Sequence, residues 1–186
     1  MLRLHSMAGH VLVGGTFDRL HRGHRLLLDA AAEAAAAQAE ATTLVVGVTA
    51  DKMLVQKAYA ELIEPFDRRA GAVRAHLADA LEAKGGAAAE SIAVDLVPLD
   101  DPAGPAGSLA KIDVLVVSEE PGVLKNVAGI RELRATRGLD PNFDVVVVEM
   151  VDEDGRKVDE ASKVSSSELR RREAEAVASG VENVGQ

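Results

Sequence analysis

Residues 11–24, Val-Leu-Val-Gly-Gly-Thr-Phe-Asp-Arg-Leu-His-Arg-Gly-His, run from a short apolar segment through two adjacent glycines to a histidine pair that heads a Leu- and Ala-rich stretch. The apolar run 11–14 reads as a buried strand and residues 23–41 as a helix. A strand that feeds directly into a helix is the first half of a crossover unit, which returns the chain to a parallel neighbour. The same alternation continues along the chain. Strands are predicted at 44–48, 92–97, 114–118 and 144–149. Helices are predicted at 65–84, with Pro65 in a tolerated first turn and Gly85-Gly86 as the stop, at 124–137 before Gly138, and from Ser165–Ser167 to about Ala178. The expectation is an α/β fold, a five-stranded parallel sheet with helices on both faces. Residues 100–108, with Pro102, Gly104, Pro105 and Gly107, read as a structured loop between strands.

No repeat or linker divides the chain. Its 186 residues, 47% of them apolar, suffice for one core, so one domain is expected over 1–186, with its core at about 10–178 and short frayed termini. Without cysteine there is neither a disulfide framework nor a thiolate-ligated metal. The net charge of −9 and a total of four aromatic residues disfavour a nucleic-acid partner or an anionic membrane surface. The longest apolar stretch, after Asp29, is broken by Glu33, Gln38 and Glu40, so no membrane span is expected. The first ten residues lack a signal-peptide core, and a cytoplasmic location is expected.

The chemistry concentrates at the first turn. Gly14-Gly15 lets the backbone turn sharply and bring its N–H groups near an anion. The helix start adds unpaired donors and partial positive charge. His21 and His24, three residues apart, project from one face, with Gly23 between them leaving room for a phosphate. Ser165-Ser166-Ser167-Glu168 fits a capping box, and a hydroxyl-lined helix start is equally an anion site, with Lys163 adding charge upstream. Asp152-Glu153-Asp154-Gly155 reads as a solvated turn, since the spacing of a calcium loop is absent. No metal ligand set is predicted.

The segment Val13 to His24 resembles the HxGH nucleotidyltransferase signature in its phosphopantetheine adenylyltransferase form, of eukaryotic and plant type. Val46-Gly47-Val48 with Asp51, Met53-Leu54, Lys57, Glu61-Leu62-Ile63 and Pro65 continues the resemblance. So do Asp101-Pro102 with Gly104-Pro105, Val116 to Glu120, and Lys163 to Ser167, so that it covers about residues 10–173. This chain departs from the pattern at Ala103, where relatives carry an aromatic ring, and after Glu120, where Pro121-Gly122 stands.

The resemblance implies a Rossmann-like nucleotidyltransferase fold and transfer of AMP from ATP to 4′-phosphopantetheine, giving dephospho-coenzyme A and pyrophosphate, with magnesium accompanying ATP. It implies ATP contacts at Gly14, Gly15, Thr16, Phe17, His21, His24, Arg69, Ser118, Glu119, Ser165, Ser166 and Ser167, and acceptor contacts at Thr16, Asp18 and Lys57. His24 and Lys57 are the catalytic pair, and Arg68 stands as the alternative to Arg69. The acceptor phosphate is already anionic near neutral pH, so alignment and charge stabilisation are needed rather than a general base. The alternatives are a cytidylyltransferase, a nicotinamide mononucleotide adenylyltransferase, or a noncatalytic module sensing coenzyme A or ATP. Association with a dephospho-coenzyme A kinase and the oligomeric state are left open.

Overall fold

The computed structural model describes residues 9–38, 41–85 and 90–179. Five strands, β1 (Gly9–Gly15), β2 (Thr42–Thr49), β3 (Ile92–Leu99), β4 (Val114–Ser118) and β5 (Asp144–Val148), form one parallel sheet in the order β3-β2-β1-β4-β5. The helices are α1 (Arg22–Ala36), α2 (Phe66–Lys84), α3 (Pro121–Thr136) and α4 (Ser166–Ala178).

Strand alternation divides the core between the two faces of the sheet. Val11 and Val13 of β1 join Leu44, Val46 and Val48 beneath α1 and α2. Leu12, Val45, Leu115 and Val117 point the other way, onto Val127 and Ile130 of α3. Helices therefore cover both faces, as the near-continuous apolar strands require.

Two helix limits differ from expectation. Helix α1 stops at Ala36 rather than continuing to residue 41, where the last turn tightens: Gln38 N–H donates to Ala35 O at 3.2 Å and its side chain to Ala34 O at 3.0 Å. Helix α3 starts three residues earlier than predicted. Pro121 occupies its first turn, where a missing N–H costs nothing, and Glu120 is the N-cap. The Gly85 half of the predicted stop adopts φ +65, whereas Gly86 and the predicted frayed tail beyond residue 179 lie outside the described residues.

Strand order reverses between β1 and β4, so the loops after Gly15 and Ser118 splay apart at the carboxyl edge and leave a crevice.

Candidate active site

The turn after β1 is built on close approach. A Cβ at Gly15 would lie 3.1 Å from the Phe17 ring, which is fully buried and packs edge-on to His24 at a centroid distance of 5.4 Å. Phe17 and Arg19 both take left-handed backbone conformations, φ 53 and 56. Such values are unfavourable for large side chains and persist only where the surroundings enforce them. Here the enforcement is the buried carboxylate of Asp18. It accepts from Arg170 at 2.5 Å, from Arg19 at 2.8 Å and from the backbone N–H of Glu64 at 3.0 Å.

His21 caps α1 and His24 sits in its first turn, their rings stacked 3.7 Å apart. The space that Gly23 leaves is filled by the His21 ring, 3.3 Å from where a Cβ would stand, and not by open room for a phosphate. Burial pushes the His21 imidazole down to about 4, opposed by Asp18 and Glu120. Burial, followed by His21 and Lys57, holds His24 well below its ordinary value. Both rings are therefore neutral at pH 7. Their Nδ1 atoms are buried without a hydrogen-bond partner within the protein. A buried polar atom left unpaired costs about 1–3 kcal/mol, which a ligand that completes the bond can recover.

Lys57 arrives from the loop between β2 and α2, and its Nζ donates to Thr16 Oγ1 at 2.8 Å, although 41 residues separate them. Burial lowers its affinity for a proton, and Arg170 lowers it further. Arg170 also fixes the loop that carries Lys57, donating to Ala58 O at 3.0 and 3.3 Å and to Ser167 Oγ at 3.0 Å. Helix α4 closes the site from above. Ser166 Oγ donates to Asp18 O at 2.8 Å, and Ser165 Oγ accepts from Glu168 N–H at 3.2 Å. Only this half of the capping box forms, because the Glu168 carboxylate pairs with Arg171 and Arg172 instead.

These parts enclose a cleft of about 430 Å³. Gly14, Gly15, Thr16, His21, His24, Lys57, Ser118, Ser165, Ser166 and Ser167 all line it, together with Glu120, Lys163 and Arg170. A more apolar cavity of about 240 Å³ shares Gly14, Gly15, Ser118 and Val123 with the cleft and extends over Leu99, Pro102 and Ala106.

Four expected contacts do not line the cleft with their side chains. Arg69 is fully buried behind the turn, donating to Glu64 O at 2.8 Å, Thr16 O at 2.7 Å, Thr49 O at 2.8 Å and the Asp51 carboxylate at 2.6 Å. Four of its five guanidinium N–H groups are taken by protein partners, so in this structure it braces the loops. Its alternative, Arg68, is 77% exposed beside Glu64. Asp18 is the buried hub and Phe17 a packing element. Glu119 lies outside, 3.9 Å from Lys157, while Glu120 lines the cleft in its place. Arg170, which the sequence reading left unassigned, lines the cleft and ties Asp18 to the loop that carries Lys57. Residues 152–155 form the expected turn, closed by an antiparallel bridge between Val151 and Lys157. Among the described residues no group of three His, Asp or Glu side chains could hold a metal ion, and no helix is long and apolar enough to cross a membrane.

A model of the family described as cytidylyltransferase-like matches residues 12–172. The phosphopantetheine adenylyltransferase of Methanopyrus kandleri is 40% identical over 162 residues, which cover 86% of this chain and 87% of the relative. That of Saccharomyces cerevisiae is 35% identical over 160 residues, 86% of this chain, and the match spans about half (47%) of the longer yeast protein. Among solved structures, a protein of unknown function from Archaeoglobus fulgidus superposes with a TM-score of 0.53 at 25% identity, covering 74% of this chain and 96% of that one.

Proposed function

The chain belongs to the cytidylyltransferase-like family, and from that premise we propose that it adenylylates 4′-phosphopantetheine with ATP, forming dephospho-coenzyme A and pyrophosphate. The observation that carries this reading is the convergence of two donor groups on one cleft. These are the Thr16–Lys57 pair and the stacked His21–His24 pair beside the glycine turn.

The reaction joins two anions, so the protein must offset their repulsion and hold them in line. The Lys57 ammonium and Thr16 hydroxyl receive the acceptor phosphate. An oxygen of that phosphate attacks the α-phosphorus of ATP, the bond to the β-phosphate oxygen breaks, and pyrophosphate leaves. His24, a neutral N–H donor, supports the charge that gathers on the transferring phosphoryl group, and His21 binds the nucleotide phosphates beside it. The N-terminus of α4, with Ser165 to Ser167, meets the distal phosphates, where helix-end donors favour negative charge. The apolar cavity takes the pantetheine arm. Magnesium enters with the triphosphate as part of the substrate, since the cleft is lined mainly by donors and no group of three His, Asp or Glu side chains among the described residues could hold the ion.

Label placed on the α-phosphorus of ATP should appear in dephospho-coenzyme A, and label on the γ-phosphorus in pyrophosphate. Label that stays in ATP after prolonged incubation with 4′-phosphopantetheine overturns the assignment.

A further inference from the structure

Glu120 and Lys163 stand on opposite banks of the cleft. Glu120 caps α3 after β4, and Lys163 precedes α4, yet their side chains meet at 2.6 Å. The second Glu120 carboxylate oxygen accepts from Ser118 Oγ at 3.2 Å. Lys163 is only 17% exposed, and both residues line the cleft close enough to His21 to influence its protonation in opposite directions. A carboxylate among anion-binding donors works against a phosphate ligand unless it moves or is neutralised.

We propose that the Glu120–Lys163 ion pair is a latch across the nucleotide cleft, in which the Glu120 carboxylate holds Lys163 in the place of a phosphate oxygen until the polyphosphate of the substrate displaces it. This rests on the nucleotide-cleft assignment above. The backbones on both sides are already fixed. Val164 N–H donates to Val151 O at 2.9 Å, and Glu120 O accepts the N–H groups of Val123 and Leu124 at 2.9 and 3.0 Å. The exchange therefore needs only side-chain rotation. Once released, the carboxylate remains at the N-terminus of α3, where the helix end favours negative charge. The latch gives the lysine a partner when the cleft is empty and recloses behind departing pyrophosphate.

The sign of the effect separates this role from a structural one. A pair that only braces the two loops would bind polyphosphate less well when broken from either side. A latch predicts opposite effects, because Glu120 competes with the ligand and Lys163 binds it. Inorganic tripolyphosphate is the probe, having neither base nor ribose. By isothermal titration, Glu120→Gln should bind it about fivefold more tightly than wild type, the scale of one partly exposed ion pair, with part of the charge on Lys163 still met by Glu160 at 4.0 Å. Lys163→Met should bind it at least fivefold more weakly. Circular dichroism and thermal unfolding of both variants establish that they are folded. Unchanged or weaker binding by folded Glu120→Gln overturns the latch. Absence of tripolyphosphate binding by the wild-type protein overturns both the latch and the cleft assignment beneath it.

Discussion

Replacing Arg69 by methionine tests whether this residue braces the fold or holds a phosphate. The side chain is fully buried, and its four donated bonds include three to backbone carbonyls, those of Thr16, Thr49 and Glu64. Methionine fills most of the volume and satisfies none of them. Leaving a carbonyl short of its partner costs about 1 kcal/mol at the low end of the range for buried groups, so three together cost about 3 kcal/mol. The bond to Asp51 adds little, because that carboxylate is 60% exposed and water replaces the lost partner. For a chain of this size 1 kcal/mol corresponds to about 2–4 °C, so the thermal midpoint should fall by about 6–12 °C. Differential scanning calorimetry and urea unfolding read this directly. A midpoint within about 2 °C of wild type, accompanied by a tenfold loss of ATP affinity, would refute the reasoning and return Arg69 to the ligand.

His24→Ala should lower kcat by about a hundredfold or more while changing ATP affinity only a few-fold, because a contact made chiefly in the transition state appears in turnover; equal losses in single-turnover and binding measurements would contradict that role. The ring of His21 should titrate by NMR with a midpoint of about 4. The unfolded chain takes up this proton near pH 6.5 and the folded chain only near 4, so stability should decline as pH falls between those values. Allowing for solvent at the ring, the loss is about 2 kcal/mol, measurable as a gap between the urea midpoints at pH 7 and 4.5 that narrows in His21→Gln, with the remainder owed in part to His24. Gly47→Ala places a Cβ against the Leu99 side chain in the middle of β2 and should cost about 1–3 kcal/mol in urea unfolding, whereas Gly122→Ala, with open space around it in α3, should be neutral or slightly stabilising.

The fold was legible because strand burial and helix periodicity are local signals, and the glycine turn with its histidines is contained in one strand–helix junction. The pairing of Lys57 with Thr16 was legible only through resemblance, since no local pattern brings together residues 41 positions apart. The burial of Arg69 was legible but not read: it shares the buried stripe of Val73, Leu77 and Leu81, each four residues on, which places its side chain inside. Arg134 follows Val127 and Ile130 inward by the same rule, where it ties together the carbonyls of Ala106, Leu109 and Asp140. Arg170 was hidden as the first of three consecutive arginines. Helical phase turns it toward Asp18 while Arg171 and Arg172 face solvent, and the need of a buried Asp18 for a partner could be read only once its burial was known.

Pyrophosphate release tests the central claim most directly. The purified protein, supplied with ATP and magnesium, should release pyrophosphate with 4′-phosphopantetheine and not with nicotinamide mononucleotide or phosphocholine, and CTP should not replace ATP. Release confined to a different pair of substrates would contradict the proposed acceptor or nucleotide, and silence with every pair would contradict catalysis itself.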